Sequence, residues 1–380
     1  AAPRAARERQ PADALADAGS GSVGGMGTAE EVQRQPDTEV VGLDVDAVSA
    51  WMAAHVAGSV PPFSFTLVAG GRSNLTFRVE DAAGRAYALR RPPVSHVLPT
   101  AHDMTREHRV MTALGPTDVP VPVTYGLCVD ETVNGRPFYV MEFVAGHILK
   151  EAPIAEAVLD GPTRRAAAMD LADALAALHA VDVDQVGLGD LGRREDYIGR
   201  QVRRWTRQYE EMAVDGPDPL VAEVGGILAA SVPEQQRVSI VHGDYRLDNV
   251  VVDDHGKVVA ILDWEICTLG DPLADLGLLL VYWAEPEDGD QALVGVTPTV
   301  LPGFARRSDL LALYSAASGR DVSQISYYRA FGFWKLACIL QGVHVRYAGG
   351  AAAGDRSGVE QFAAHVGRLG ERALAEVESL

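Results

Sequence analysis

Alternating apolar and polar residues mark five short segments between residues 60 and 145. This two-residue period is typical of β-strands with one buried face. Gly70-Gly71 and residues 81–84 suit turns between the first three segments, and Asn134-Gly135 is a favoured hairpin turn between the last two. We therefore predict five strands, at residues 65–68, 76–80, 86–90, 123–129 and 138–142.

Two helices accompany these strands. A short helix is predicted at residues 44–56, and another at residues 102–114, between the third and fourth strands. Thr100 and Asp103 are placed as a capping box for the second helix. The order of three strands, one helix and two strands predicts a small β-rich lobe.

A helical period replaces the strand pattern after residue 145. A helix is predicted at residues 163–180, and the apolar run at residues 276–284 predicts a buried helix that is too short for a membrane span. Residues 250–252 and 258–262 predict one β-hairpin in this half. One face of a further helix carries Ile198, Val202, Trp205 and Tyr209.

These elements predict an α+β protein with two lobes. The small lobe, residues 39–142, would hold a five-stranded antiparallel sheet with one helix, and the large, mainly helical lobe, residues 143–380, would carry the hairpin. Residues 1–38 have hardly any large apolar side chain and are expected to be disordered. A cleft between two lobes is a common place for a ligand.

The net charge limits the expected partners, and the cysteines indicate the compartment. The chain has 52 acidic and 33 basic residues and a net charge of −19, which repels nucleic acid and anionic membranes, so neither is an expected partner. Cys128, Cys267 and Cys338 are widely separated and suggest a reducing compartment. Residues 1–38 lack the apolar segment of a signal peptide. We expect a cytoplasmic protein that acts on a small molecule.

The most informative segment is His242-Gly243-Asp244, followed by Asn249 and, after the hairpin, by Asp263. Asp244 and Asn249 have the spacing of the kinase loop H-R-D-x-x-x-x-N, and Asp263 stands where a second metal-binding Asp is expected. Phosphoryl transfer from ATP needs a carboxylate at the acceptor hydroxyl and oxygen ligands for Mg²⁺. We predict that Asp244 is the catalytic base and that Asn249 and Asp263 bind Mg²⁺. Each could instead satisfy loop amides or a turn.

The neighbours of the base have distinct predicted roles. Arg246 can bring a cation to the transferring phosphoryl group, although an ordinary surface arginine is the alternative. His242 is predicted to hold the loop, because Asp244 already fills the role of base. Asp271 is predicted to cap the buried helix, and Asp275 to support the catalytic loop by bonding to its amides.

The small lobe offers residues for a nucleotide. Ala88 and Arg90 share one face of their strand, and a small side chain beside a cation suits a purine next to its phosphates. Glu107 lies on an apolar helix face and needs a cation there, so Arg90 is its predicted partner; the alternative is a Glu107 that reaches solvent. Ser73 and Asn74 close a Gly-rich loop that could cover phosphates, although a simple hairpin turn is the alternative.

Positive charge is concentrated in one segment of this acidic chain. A solvated helix face, paired with Glu195, Asp196, Glu210 and Glu211, is one interpretation. A dock for an anionic acceptor is the other. The segment contains Arg193, Arg194, Arg200, Arg203, Arg204 and Arg207.

Together these residues resemble the aminoglycoside phosphotransferase and choline kinase-like family, which has the bilobal protein kinase-like fold. The resemblance implies that Asp244 is the base, that Asn249 and Asp263 bind Mg²⁺, and that Arg90 contacts the α- and β-phosphates, where most relatives have Lys. The likeness runs from about residue 65 to residue 347, and its most specific parts are His242-Gly243-Asp244 with Asn249, Ile261-Leu262-Asp263-Trp264 and Gly270-Asp271-Pro272-Leu273-Ala274-Asp275.

Residues 139–144 look like the hinge of that family, where backbone groups of Glu142 and Val144 would bond to adenine. Ser73-Asn74-Leu75-Thr76 and Ile339-Leu340-Gln341-Gly342 look most like the branch that includes the kinase domain fused to acyl-CoA dehydrogenase domains. That domain is associated with phosphorylation of hydroxyacyl-CoA thioesters.

We therefore expect an ATP·Mg²⁺-dependent small-molecule kinase that phosphorylates an acceptor hydroxyl. A hydroxyacyl-CoA or a related hydroxy acid is the first candidate acceptor, and an aminoglycoside or amino-alcohol is the second. A nucleotide-binding pseudokinase or scaffold is the alternative from another class, and the intact Asp244, Asn249 and Asp263 count against it.

Overall fold

The computed structural model describes residues 40–69, 74–94, 103–212, 218–291, 297–348 and 359–379. The expected disorder of residues 1–38 concerns a segment outside the described residues. The same holds for Ser73, in the predicted phosphate loop, and for Thr100, in the predicted capping box.

A five-stranded antiparallel sheet fills the first part of the described chain, as predicted. The strands lie in the order β1-β2-β3-β5-β4. All four ladders are antiparallel, with Arg90 of β3 opposite Thr76 of β2 and Tyr139 of β5. The strands are β1 (Ser64–Ala69), β2 (Leu75–Glu80), β3 (Ala86–Arg91), β4 (Thr124–Cys128) and β5 (Phe138–Glu142).

The two faces of this sheet are covered by different helices. Helix α1 (Val45–His55) is capped by Asp44 and buries Val48 and Met52 in a cluster with Leu89 of β3. Helix α2 (Met104–Leu114) packs on the opposite face, in the cluster that contains Ala88. Ala88 and Arg90 therefore share the face on the α2 side, because successive strand residues alternate between faces.

Two local predictions in this part were wrong. The capping box fails because Asp103 is itself the N-cap of α2, where its extended backbone lets its side chain accept a hydrogen bond from the amide of Arg106 at 3.1 Å. The two-residue turn at Asn134-Gly135 is replaced by a one-turn helix, α3 (Glu131–Asn134). Asp130 caps α3 through the amide of Thr132, and Gly135 ends it at a φ of 69°.

The rest of the described chain is mainly helical, as predicted. Strands β7 and β8 form the predicted hairpin, and a second pair, β6 with β9, was not predicted. The helices are α4 (Ala152–Val158), α5 (Gly161–Ala180), α6 (Tyr197–Met212), α7 (Pro219–Ala230), α8 (Leu273–Tyr282), α9 (Arg307–Ser318), α10 (Ile325–Ala348) and α11 (Val359–Val377), and the strands are β6 (Ser239–Val241), β7 (Val250–Val252), β8 (Val258–Ile261) and β9 (Thr268–Gly270).

Helix α2 is tied to the helical part by its arginines. The Arg106 guanidinium donates to the carbonyls of Leu191 and Cys267, at 2.8 and 2.7 Å. Arg109, one turn further along α2, binds the Asp190 carboxylate. These contacts fix the helix that carries Glu107 against the part of the chain that carries the catalytic loop.

Two further predictions concern boundaries and membranes. The division of the chain between residues 142 and 143 stays a prediction. No helix within the described ranges is long and apolar enough to cross a membrane.

Candidate active site

The predicted catalytic loop, residues 242–249, follows β6 and has, as its second residue, a glycine that its backbone requires. Gly243 has a φ of 89°, and a Cβ at this position would lie 3.0 Å from the Ile266 side chain. Asp275, in the first turn of α8, accepts hydrogen bonds from the amides of His242 at 2.6 Å and Gly243 at 2.8 Å. Asp275 therefore bonds to the loop amides in the way predicted from its place in an apolar helix.

Buried polar groups keep Asp275 ionised. Burial raises the pKa of Asp275, but hydrogen bonding to His179 and the nearby backbone amides lower it, and the net pKa is below its ordinary value. Burial lowers the pKa of His179, so its ring is neutral. Its Nε2–H donates to Asp275 at 3.2 Å, and its Nδ1 accepts from the Tyr314 hydroxyl at 2.7 Å.

His242 has a structural role in this arrangement, as predicted. Its Nε2 donates to the Leu262 carbonyl at 2.8 Å, and its Nδ1 accepts from the amide of Asp244 at 3.3 Å. Its ring also packs edge-on against Trp264, with centroids 4.8 Å apart. Both ring nitrogens are thus engaged in joining the catalytic loop to the end of the hairpin.

The predicted base lies among the predicted metal ligand and cation. Asn249 Nδ2 donates to the Asp244 backbone carbonyl and to its Oδ2, both at 2.9 Å. Arg246 Nε lies 3.2 Å from the same Oδ2, and its Nη1 lies 3.1 Å from Asp248. Burial lowers the pKa of Arg246, but Asp244, Tyr282 and Asp248 raise it more, so this cation stays charged.

Asp263 adopts a backbone conformation that is unusual for its residue type. Its φ is 64°, in the left-handed region that favours glycine, and such strain often accompanies a functional site. The amide of Leu262 donates to the Asn249 carbonyl at 2.8 Å, so the hairpin brings the two predicted metal ligands onto adjacent backbone. Burial raises the pKa of Asp263, but Arg90 lowers this pKa by a larger amount. The net pKa is below its ordinary value, so the carboxylate is ionised.

Arg90 lies at the centre of a group of three carboxylates. Its Nε is 3.2 Å from Glu107, so the predicted pair is present. Its Nη2 is 2.5 Å from Asp263 and 3.8 Å from Glu265. The contacts with Asp263 and Glu265 were not predicted, because nothing in the local pattern shows that β3 lies beside the end of the hairpin.

The three carboxylates of Glu107, Asp263 and Glu265 surround the single cation of Arg90, so negative charge exceeds positive charge in this group. Burial raises the pKa of Glu107 to about 7, with Asp263 and Glu265 also raising it, while Arg90 and the Tyr139 hydroxyl lower it. Asn74, buried to 5% exposure, donates its amide hydrogens to Glu107 at 3.0 Å and Glu265 at 3.2 Å. Its predicted contact with phosphates stays a prediction.

The predicted adenine-binding residues lie at the end of β5 and beside it. Ala88 is buried opposite Met141 in the sheet. The amide of Glu142 donates to the Val123 carbonyl at 2.8 Å, so any bond from this residue to adenine falls to its carbonyl. Val144 follows β5 and is half-buried.

The donor set fits Mg²⁺ bound together with a nucleotide. Asn249 uses its amide hydrogens on Asp244, which leaves its Oδ1 as the ligand atom, and Asp263 supplies an ionised carboxylate. Three or more His, Cys, Asp or Glu side chains grouped as a metal site are not found in the part of the chain that the structure describes. One carboxylate and one amide suit Mg²⁺, which commonly takes its other ligands from phosphates and water.

Some arginines of residues 193–207 are paired, as expected for a solvated helix face, and Arg204 is not paired within the described chain, which leaves a dock for an anionic acceptor open. Arg203 pairs with Asp196 at 2.5 Å, as expected for a solvated face, and Arg194 pairs with Asp184. Arg204 has no ion pair among the described residues. Its guanidinium lies 5.4 Å from the Trp205 ring centroid.

Comparisons with known proteins agree with this geometry. A model of the phosphotransferase enzyme family matches residues 64–308. A solved protein from Ralstonia eutropha JMP134, proposed to be an aminoglycoside phosphotransferase, is 32% identical, covers 88% of this chain and 98% of its own, and has a TM-score of 0.74. Choline kinase from Cryptosporidium parvum shares the fold, with 11% identity, coverage of 89% and 96%, and a TM-score of 0.59.

Curated relatives are longer than this chain. Acyl-CoA dehydrogenase family member 10 of Mus musculus is 33% identical over 330 residues, which cover 84% of this chain and 30% of that protein. Family member 11 of Gallus gallus is 34% identical over 313 residues, which cover 80% and 39%. The chain thus spans between about three tenths and two fifths of the length of these relatives. It belongs to the phosphotransferase enzyme family, and it has the predicted protein kinase-like fold.

Proposed function

We propose that this protein is an ATP·Mg²⁺-dependent small-molecule kinase that transfers the γ-phosphoryl group to a hydroxyl of its acceptor. The observation that carries the proposal is the contact of Asp244 with both Asn249 and Arg246. That contact joins a carboxylate, a side-chain amide and a guanidinium in one supported loop, and it leaves the amide oxygen of Asn249 free for a metal ion. We take the enzyme to act in the cytoplasm on a small acceptor molecule.

Each residue of the loop has one task in the proposed reaction. Asp244 accepts the proton of the acceptor hydroxyl while the hydroxyl oxygen bonds to the γ-phosphorus. The bond from the γ-phosphorus to its bridging oxygen breaks, which leaves ADP and a phosphate monoester. Arg246 stabilises the charge of the transferring group. Asn249 and Asp263 would hold Mg²⁺, which would supply positive charge to the phosphate oxygens.

The nucleotide is assigned to the sheet side of the cleft. Adenine would lie against Ala88 and bond to the backbone of Glu142 and Val144. Arg90 would contact the α- and β-phosphates, held in place by Glu107. Ser73 and Asn74 would cover the phosphates. Because Arg90 contacts Asp263 directly, nucleotide and Mg²⁺ binding would replace that ion pair with two new ones.

A hydroxyacyl-CoA or a hydroxy acid is our first proposal for the acceptor. The acyl-CoA dehydrogenase family members 10 and 11 support it as relatives, and Arg204 offers a cation without an ion pair among the described residues. An aminoglycoside or amino-alcohol is the second proposal, supported by the structural relatives and by the net charge of −19.

Acceptor-dependent ADP release tests this proposal. Purified protein with ATP and Mg²⁺ is assayed with a panel of hydroxyacyl-CoAs, hydroxy acids, aminoglycosides and amino-alcohols, and the phosphorylated product is identified by mass. We expect one class to accelerate ADP release and to gain a phosphate. A protein that binds ATP but releases no ADP with any of the four classes would instead be a nucleotide-binding pseudokinase.

A further inference from the structure

A lysine that the sequence analysis did not single out lies beside the catalytic loop. Lys335 projects from α10, and its Nζ lies 3.4 Å from the carbonyl of Gly243, the residue before the base Asp244. A cavity of about 10 Å³, room for about one water, adjoins it, and Tyr197, Asp275 and Phe331 are among the residues that line this cavity. Lys335 therefore lies beside the backbone of the loop that carries Asp244.

The ammonium group of Lys335 is poorly satisfied. It has three hydrogens to donate, yet its sole hydrogen bond within the described residues is the long one to Gly243. No carboxylate of the described chain forms an ion pair with it. Burial lowers the pKa of Lys335, the charges of Asp244 and Asp275 raise it, and the net pKa is below its usual value. A buried cation with unused hydrogens is costly unless a ligand accepts them.

A second cation faces the same region from α6. Tyr197 and Arg204 are seven residues apart and so lie on one face of that helix. Tyr197 lines the cavity beside Lys335, and Arg204 is close enough to lower the pKa of Lys335. Arg204 has no hydrogen bond or ion pair within the described ranges, whereas the neighbouring Arg203 is paired with Asp196. The exposed Arg203 is thus neutralised, whereas Lys335 and Arg204 form no ion pair within the described ranges.

We propose that Lys335 and Arg204 bind the carboxylate of a hydroxy-acid acceptor whose hydroxyl lies at Asp244. The inference rests on the proposed kinase function and makes it more specific, because two cations beside the base favour an anionic acceptor and repel the ammonium groups of aminoglycosides and amino-alcohols. Lys335 donates to the carboxylate near the hydroxyl, and Arg204 provides a second contact from α6.

The test compares three forms of the same acceptor. Short acids with a hydroxyl on carbon 2, 3 or 4 are each assayed as the free acid, the CoA thioester and the primary amide, with the wild type, Lys335→Met, Lys335→Arg and Arg204→Gln. We expect the wild type to have its lowest KM for a free acid. Lys335→Met should raise the KM for the free acid by about 10- to 100-fold, because it removes one charge-assisted hydrogen bond to the carboxylate. The KM for the amide should not change. Lys335→Arg should recover part of the loss, and Arg204→Gln should raise the KM for the acid less.

A matched control removes a lysine charge elsewhere. Lys257 lies in the hairpin turn, 69% exposed, and Lys257→Met should leave every KM unchanged. Thermal unfolding of each variant checks its fold. Arg204→Gln tests carboxylate binding at a second, half-buried position. An acid-to-amide KM ratio that is the same in the wild type and in both the Lys335 and Arg204 variants would overturn the inference, as would a wild-type preference for the thioester or the amide. If no hydroxyl compound accelerates ADP release by the wild type, the proposed kinase function fails instead.

Discussion

Replacing Arg90 with methionine is expected to destabilise the protein and to weaken nucleotide binding together. Arg90 is 12% exposed in its side chain and contacts three carboxylates, of which Asp263 and Glu107 are the nearest at 2.5 and 3.2 Å. Methionine has a similar length but no charge, so it leaves the buried Glu107 and the partly exposed Asp263 and Glu265 beside one another without this cation. The pKa of Asp263, which Arg90 lowers, should rise in the variant.

The size of the effect follows from the burial of the group. Removal of one partner of a buried ion pair costs about 3–5 kcal/mol. Arg90→Lys keeps the charge but cannot span Glu107 and Asp263 with a planar guanidinium, so it should cost one charge-assisted hydrogen bond, about 1.5–3 kcal/mol. If the free energy of unfolding falls by about 3 kcal/mol per molar urea, a loss of about 3–5 kcal/mol lowers the unfolding midpoint of Arg90→Met by about 1–1.7 M urea relative to the wild type.

Urea unfolding followed by fluorescence, and titration with Mg²⁺·ATP, measure both effects. We expect the order wild type, Arg90→Lys, Arg90→Met in unfolding midpoint and in ATP affinity. Arg78→Met is the matched control, because Arg78 pairs with Glu80 at a half-exposed position of the same sheet. An Arg90→Met variant with the midpoint of the wild type and unchanged ATP affinity would refute the reasoning that Arg90 serves both the carboxylates and the nucleotide.

Two further predictions concern buried carboxylates. Asp275→Asn loses one of the bonds to the amides of His242 and Gly243, so it should lower kcat about 100-fold through misplacement of the loop and cost about 1.5–3 kcal/mol at pH 7. Because the pKa of Asp275 is lowered in the folded state, its stabilising charge is present above its ordinary pKa and is lost as the pH falls below about 4. Urea midpoints of the wild type and the variant should therefore converge in acid, and an equal gap at pH 7 and pH 3 would contradict this. Glu107, with a pKa raised to about 7, binds protons more strongly when folded, so its contribution to the free energy of unfolding falls as pH rises from about 4.5 to 7. Mg²⁺ bound at Asp263 would place positive charge near Glu107 and lower the pKa of Glu107, so binding of Mg²⁺·ATP should release up to about half a proton from Glu107 at pH 7. Calorimetry in buffers of different ionisation enthalpy measures this release. An equal release from Glu107→Gln would count against the assignment.

The contact between Asp244 and Asn249 was predictable because both residues lie in a short stretch of sequence. Asp244 and Asn249 are five residues apart, and the hairpin that follows brings Asp263 back to them through the bond from the Leu262 amide to the Asn249 carbonyl. The structure-supporting role of Asp275 was also predictable, because a carboxylate in an apolar helix must find donors.

Contacts between distant elements were not predictable in the same way. Arg90 and Asp263 are 173 positions apart, and their contact depends on how the sheet lies against the hairpin. Lys335 lies in a long helix without a distinctive spacing, and its nearness to Gly243 is set by the packing of α10. One signal was present for Glu265, since it follows the predicted metal ligand by two residues and carries a charge in an apolar context.

Local competition between caps explains the errors in the small lobe. Asn134-Gly135 favours a two-residue turn, but Asp130 caps the amide of Thr132 first and starts a turn of helix, which leaves Gly135 to end it. Asp103 caps α2 by the same chemistry. In both cases an aspartate at the N-cap outweighed a weaker dipeptide or box pattern.

The most direct test of the account is the rate of phosphoryl transfer by Asp244→Asn. The substitution keeps the size of the side chain and removes its ability to accept a proton. In a single turnover with Mg²⁺·ATP and the best acceptor of the panel, we expect the rate to fall by about 10²- to 10⁴-fold, while the Kd for Mg²⁺·ATP changes by less than about threefold. A transfer rate within a few fold of the wild type would contradict the claim that Asp244 is the base.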